Sequence, residues 1–110
     1  MNDWEYPLIN EYRVEHISSD YIALTHPTAG EIGSVLRFSY GNRFIAIEVS
    51  QNRENEGEYF IIDSKNHQKY GPLYTMEEYN DLLQDLDADN MGEWIVTIPA
   101  PKDALFPRIG

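Results

Sequence analysis

Two apolar runs on either side of Gly41-Asn42 constrain the fold of this chain more than any other feature. The first run is Val35 to Tyr40, and the second is Arg43 to Val49. A Gly-Asn pair suits the positive φ angles of a tight two-residue turn, so the runs are predicted to form a β-hairpin. The predicted register gives two facing pairs: Phe38 with Ile45, and Leu36 with Ile47. The alternate residues then lie on the opposite side, which predicts a sheet with one buried face.

Other short apolar runs extend the predicted sheet. Tyr12 to Ile17 and Tyr21 to Thr25 flank Ser18-Ser19-Asp20 and predict an earlier hairpin. Its register has two facing pairs: Val14 with Leu24, and His16 with Ile22. Tyr59 to Asp63 and Trp94 to Ile98 are predicted as later strands.

Polar and Gly/Pro-containing segments separate these strands. His26 to Gly30 is predicted as a loop, and Gly30 to Gly33 carries only loop signals. Gln51 to Glu58 has no apolar period and is predicted as a mobile polar connection. After a turn at residues 64–67, Gln68 to Tyr70 is a short extended stretch that Gly71-Pro72 should end.

Thr75 opens the one predicted helix, because Glu78 three residues later completes a capping box. The predicted buried stripe has helical spacing: Met76, Tyr79, Leu82, Leu83 and Leu86. The predicted fold class is therefore α+β, an antiparallel sheet of about five to six strands with one helix packed on one face. We expect a single domain over residues 1–110, with an irregular Pro-rich tail at 99–110.

The charge balance limits the classes of partner. The chain of 110 residues has 19 Asp and Glu against 8 Lys and Arg, a net charge of -11. Such a field repels phosphate backbones and anionic lipid and attracts basic proteins, so we expect no direct nucleic-acid or membrane binding. The absence of cysteine and of a signal-peptide pattern at the N-terminus leads us to expect a cytoplasmic protein.

Catalytic and metal-binding patterns are missing from the sequence. His16, His26 and His67 are far apart and lack ligands at metal-binding spacing. No nucleophile elbow or phosphate-binding loop occurs, so we expect no enzymatic activity, cofactor or metal. The acids at 85–89 resemble the start of an EF-hand loop without its Gly and Glu, which leaves weak calcium binding at residues 85–93 as an alternative.

The one segment with a marked charge pattern extends from Gly71 to Pro101, where Lys and Arg do not occur. The acids expected to form a partner-binding surface on and after the helix are Glu77, Glu78, Asp81, Asp85, Asp87 and Asp89. Tyr74 and Trp94 are expected to add exposed aromatic contacts. A face that only keeps the protein in solution is the alternative interpretation.

The strand Tyr59 to Asp63, the turn Tyr70-Gly71-Pro72-Leu73 and the acidic segment Glu77-Glu78-Tyr79 occur in succession. This stretch resembles a family of small uncharacterised bacterial proteins that have a Tyr-x-Ile-x-Asp strand, a Tyr-Gly-Pro-Leu turn and an acidic helix. The resemblance implies a structural role for the turn and no catalytic residues. In its size, acidity and lack of cysteine, the chain is also loosely similar to bacterial toxin-immunity proteins.

Two functional hypotheses follow from the sequence. The first is an acidic protein-binding module of the immunity type, which inhibits a basic toxin or nuclease. The second is a structural or accessory subunit of a phage or secretion assembly with no inhibitory role. In that case the apolar tail residues Leu105, Phe106 and Ile109 would matter more than the acids.

Overall fold

The computed structural model describes residues 4–50, 57–88 and 90–106. The first sheet contains β1 (Trp4–Pro7), β2 (Arg13–Ser18), β3 (Tyr21–His26) and β4 (Gly30–Gly33), hydrogen-bonded in that order. The chain continues through β5 (Val35–Tyr40), β6 (Phe44–Ser50), β7 (Gly57–Asp63) and β8 (Gln68–Leu73). Helix α1 (Met76–Asp85) and β9 (Ile95–Val96) follow.

The second sheet has the spatial order β8-β7-β6-β5-β9, and both sheets are antiparallel. The predicted α+β class with a single helix is confirmed for the described residues. The predicted single sheet of five to six strands is wrong, because the described residues form nine strands in two sheets. The strands β1 and β4 were not predicted. β1 is only four residues long, and β4 begins and ends at a glycine.

The two sheets pack face to face around the main core. Its buried residues come from both sheets: Trp4, Tyr6, Tyr12, Val14, Ile22 and Leu24 from the first, with Val35, Phe38, Ile45, Ile47, Val49, Phe60 and Ile62 from the second. Except in β5, where an irregularity follows Val35, their alternation along the strands matches the period of two that places every second side chain on one face. The core therefore lies between the layers.

A second core lies on the outer face of the second sheet, under α1. Phe44, Ala46, Tyr59 and Ile61 of the sheet join Tyr79 and Ala88 there. The expectation that only one face is buried is therefore wrong for the second sheet. The first sheet covers one of its faces, and α1 covers the other. This two-sided burial explains why β6 and β7 are almost continuously buried.

The predicted helical stripe is only partly buried. Tyr79 is buried, and Leu82, Leu83 and Leu86 are half-buried against the second core. Met76, in the first turn, lies outside this core and is 36% exposed. The helix is therefore attached to the sheet mainly through one aromatic side chain.

The first predicted hairpin is confirmed in its register, with Val14 facing Leu24 and His16 facing Ile22. The second hairpin forms, but its predicted register is wrong. Phe38 faces Ile47, and Tyr40 faces Ile45. The turn is therefore centred on residues 42–43.

Gly41 and Asn42 do not have the positive φ angles that the prediction required. A Cβ at Gly41 would meet the backbone oxygen of Asn90 at 2.8 Å, so this glycine permits close approach of the segment after α1. The predicted burial of Leu36 is also wrong. An irregularity between Val35 and Arg37 shifts the register, so Val35 enters the core and Leu36 is 44% exposed.

The strand β8 does not end at Gly71-Pro72, contrary to prediction. Pairing with β7 resumes at Leu73, after a register shift that accommodates the extra residue. β8 is an edge strand, and β7 is its one neighbour in the sheet. Pro72 has no backbone N–H to donate, and an edge strand tolerates this loss because no further strand pairs with it. The predicted polar connection falls on residues 51–58. Residues 51–56 lie outside the described part of the chain, while Gly57 and Glu58 already belong to β7.

The predicted final strand is shorter than expected, because β9 contains only Ile95 and Val96. The Thr97 hydroxyl then donates at 3.0 Å to the carbonyl oxygen of Val35. Farther along, the backbone groups of Leu105 and Glu5 form two hydrogen bonds, so the C-terminal segment passes from β5 to β1. This segment closes one side of the two-sheet sandwich.

Candidate functional site

The acidic helix face, as we define it, is a surface of exposed carboxylates on α1 and at its end. It consists of Glu77, Glu78, Asp81, Asp85 and Asp87, all of which are exposed. Three of these acids recur at four-residue spacing, so their side chains lie next to one another along the helix. The structure therefore brings these predicted acids together, and Asp89, the sixth, lies outside the described residues.

Both ends of α1 are fixed by local hydrogen bonds. The Thr75 hydroxyl accepts from the backbone N–H of Glu78 at 3.0 Å, and the Glu78 carboxylate accepts from the N–H of Tyr74 at 2.8 Å. At the other end, Ala88 donates to the carbonyl of Leu83 at 2.9 Å. Together with the left-handed Asp87 (φ 56), this bond makes a Schellman-type end. The predicted Thr75 cap is confirmed, whereas the Glu78 carboxylate accepts from Tyr74, one residue before the N-cap, and not from Thr75 as in a capping box. The acids have a rigid support.

Ion pairs in the described part of the chain are formed by residues outside α1 and the acidic helix face. Arg37 contacts Glu48 at 2.5 Å, and Arg43 contacts Asp63 at 2.6 Å. A third pair joins Arg13 of β2 to Glu5 of β1 at 2.7 Å. Within the described residues, none of the carboxylates of the acidic helix face forms an ion pair. The helix also has no basic residue in its last turn.

An aromatic cluster lies directly beneath the helix. The ring of Tyr79 is 5.7 Å from that of Tyr59 and 5.4 Å from that of Trp94. The guanidinium of Arg37 lies 4.4 Å from the centre of the Trp94 ring. Burial raises the pKa of Tyr79 to about 12, so its phenol is neutral at physiological pH.

The two predicted aromatic contacts differ in their surroundings. Tyr74 is 61% exposed beside the start of the helix, as expected of a contact residue. Trp94 is only half-buried against the second core, and its ring packs on Tyr79 and Arg37. The expectation that Trp94 is an exposed aromatic is therefore wrong, because this packing covers part of its ring.

In residues 4–50, 57–88 and 90–106, no group of three or more His, Asp or Glu side chains could hold a metal ion. The suggested calcium loop at 85–93 includes Asp89, so part of it lies outside these ranges. Nothing in the described portion of that loop forms a cation site.

The structure brings together a second polar cluster that sequence reasoning missed. The rings of His26 and His67 lie 4.6 Å apart, and the Tyr12 hydroxyl is 2.7 Å from Nδ1 of His67. Tyr12 lies just before β2, His26 ends β3, and His67 is in the turn between β7 and β8. No spacing rule connects them, so only the packing of the two sheets could have shown their proximity.

Comparisons with protein-family models, curated proteins and solved structures gave no match for this chain. Among the described residues, α1 is too short and too polar to cross a membrane. The site must therefore be interpreted from its own geometry.

Proposed function

We propose that this protein is an acidic protein-binding module of the immunity type, in which the acidic helix face occupies a basic cleft of a toxin or nuclease. The observation that carries the proposal is the exposure of these carboxylates on a capped helix with no ion-pair partner among the described residues. Carboxylates at such spacing can take the place of substrate phosphates against Lys and Arg side chains.

The free protein bears an electrostatic cost on this face. Glu77, Asp81 and Asp85 are like charges at four-residue spacing, and each such pair destabilises a helix by about 0.2–0.5 kcal/mol. The acids near the C-terminus of α1 also face the negative end of the helix dipole. A cationic partner removes both costs, so it stabilises the bound state relative to the free protein.

Tyr74 gives this surface an aromatic contact next to the carboxylates. It is 61% exposed, and its backbone N–H is held by Glu78, so its position is fixed relative to the helix. Exposed tyrosines contribute a large contact area at low cost in conformational entropy. We therefore assign Tyr74 to the apolar part of the interface and the helix acids to steering and charge pairing.

The test compares two variants with the same change in net charge. The face variant carries Glu77→Gln, Asp81→Asn and Asp85→Asn. The charge control carries three substitutions at exposed acids elsewhere: Glu11→Gln, Asp20→Asn and Asp103→Asn.

A partner captured by the wild-type protein is purified, and its affinity for each variant is measured by calorimetry. We expect the face variant to lose at least about 100-fold in affinity, since several charged contacts of interface strength are removed. The charge control should remain within a few-fold of wild type. Equal losses in both variants would show that net charge, and not this face, governs binding.

A second candidate function rests on a different surface. Several large apolar side chains are exposed along β5, β9 and the C-terminal segment: Leu36, Val96, Ile98, Leu105 and Phe106. Such a surface favours a structural or accessory subunit that is incorporated in a larger assembly. Ile109, which the sequence assigned to the same tail, lies outside the described residues.

The two candidates make opposite predictions for one substitution. Phe106 is 65% exposed, so Phe106→Ser should leave folding intact. Loss of the captured partner on this change, with binding by the face variant unaltered, would favour the accessory-subunit function. The immunity-type function predicts the reverse pattern.

A further inference from the structure

The side of the sandwich near the edge strands β4 and β8 contains a cavity of about 200 Å³. Both sheets line it, through Leu24 and Ile32 of the first and Ile62 and Lys69 of the second. The C-terminal segment closes the sandwich elsewhere, between β5 and β1. The cavity therefore lies at an edge between the two layers, away from the C-terminal segment.

The floor of the cavity is apolar and belongs to the main core. Leu24, Ile62 and Tyr12 are 2%, 3% and 5% exposed, and Ile32 packs against them. A cavity of about 150 Å³ with aliphatic and aromatic walls accepts benzene. The present volume therefore accommodates an aromatic ring with one small substituent.

The rim carries hydrogen-bond donors. The Tyr12 hydroxyl and Nδ1 of His67 share a hydrogen bond of 2.7 Å, and burial raises the pKa of Tyr12. Lys69 faces Ile62 across β7 and β8 and lines the cavity, and its ammonium lies 5.1 Å from the centre of the Phe60 ring.

His26 positions the opposite part of the rim. Its Nδ1 accepts from the backbone N–H groups of Thr28 and Ala29, each at 3.1 Å, which fixes the turn that leads into β4. Glu31 is the acid that lines the cavity, and its Oε2 accepts from the Tyr21 hydroxyl at 2.5 Å. Lys69 and the His67 ring are the lining groups that can donate to an anion, and the Glu31 carboxylate is held by Tyr21.

We propose that this cavity binds a small aromatic carboxylate, with its ring against Ile32 above the floor of Leu24 and Ile62 and its carboxylate at Lys69 and His67. The apolar floor selects the ring, and the donors at the rim select the planar anion. This inference is independent of the acidic helix face, since none of its residues lines the cavity.

Benzoate is the probe, and benzamide is its neutral match of almost the same shape. Each is titrated into the full chain, and backbone amide shifts are followed by two-dimensional NMR. We expect saturable shifts for benzoate at Leu24, Ile62 and His67, and binding by benzamide weaker by up to about fivefold, as expected for loss of one exposed charge pair. Acetate, which lacks the ring, should produce no saturable shift at these amides.

Variants separate the two parts of the proposed site. Lys69→Met keeps the aliphatic body and removes the charge, and we expect it to weaken benzoate binding about fivefold. The matched control is Lys65→Met, because Lys65 lies by the neighbouring depression and not by this cavity. Ile32→Phe should fill the cavity and abolish binding. His67→Asn should weaken binding, because it removes the imidazole. The variant should still fold, since Asn tolerates the positive φ of 63° at this position.

Three results would overturn the proposal. The first is the absence of saturable benzoate shifts at the cavity amides of the folded wild-type protein. The second is equal affinity for benzoate and benzamide, and the third is equal weakening by Lys69→Met and Lys65→Met. Folding of each variant is checked from the dispersion of its amide spectrum, so a lost signal is not mistaken for lost binding.

Discussion

Removal of the Tyr79 side chain tests how α1 is attached to the rest of the fold. Tyr79 is 4% exposed and is the one fully buried residue of the helix, all of which is described. Its ring packs between Tyr59 and Trp94, whereas the leucines of the same helix are only half-buried. Tyr79→Ala should therefore loosen the helix from the second sheet.

The expected loss follows from the area that the ring buries. An aromatic side chain buries about 150–250 Å², and at about 25 cal/mol per Å² this corresponds to roughly 4–6 kcal/mol. Measured Phe and Trp to Ala losses in cores are about 3–5 kcal/mol, since the surroundings partly relax. We expect a loss in that range, a large part of the about 5–15 kcal/mol that stabilises a typical domain.

Urea unfolding followed by circular dichroism measures this loss. Tyr74→Ala is the matched control, because Tyr74 precedes the same helix and is 61% exposed. The control should change the free energy of unfolding by no more than about 0.5 kcal/mol. A loss below about 1 kcal/mol for Tyr79→Ala, or equal losses for both tyrosines, would refute the proposed attachment of the helix.

Further predictions concern a glycine, a buried carboxylate, a helix cap and the charged face. Gly41→Ala should cost about 1–3 kcal/mol by urea unfolding, because the new Cβ would overlap the backbone of Asn90; an unchanged midpoint would contradict this. The hydrogen bond from Arg43 lowers the pKa of Asp63 below 3.8, so this group contributes stability above that pH and loses it as pH falls through the lowered pKa. Asp63→Asn should therefore be less stable than wild type at pH 7, with a difference that shrinks in acid unfolding curves; a constant difference would disprove the linkage. Thr75→Ala should cost about 1 kcal/mol and Thr75→Asn much less, and equal losses by chemical denaturation would exclude the cap. Raising the ionic strength from about 0.01 to about 0.15 M should increase the melting temperature of wild type more than that of the face variant, because salt screens the repulsion between the carboxylates of the acidic helix face. Identical increases would show that this repulsion does not affect stability.

Local sequence signals predicted the elements whose geometry is set by neighbouring residues. The Thr75 and Glu78 capping pair and the pairing of Val14 with Leu24 follow from short-range hydrogen bonding and turn length, and the structure has both. The hairpin at Gly41-Asn42 shows where such signals are insufficient. Its glycine is required for contact with Asn90, a residue far along the chain, and not for a positive φ.

The number of sheets and the second polar cluster depend on long-range packing. The strand β6 is buried on both faces, so polar and apolar residues hardly alternate along it. Its sequence therefore does not indicate that the first sheet covers one face and the helix covers the other. His26 and His67 meet because the two sheets pack on each other, which no spacing in the sequence encodes. The acids of the helix face were identifiable because helical periodicity alone places them together.

Hydrogen exchange of the complex with the captured partner tests the proposed role of the acidic helix face most directly. We expect binding to slow exchange of the backbone amides of Met76–Asp85 and of Tyr74, with little change along β9. Slowed exchange at β9 and the C-terminal segment, with unchanged exchange across α1, would contradict the proposed function and place the interface on the exposed apolar surface.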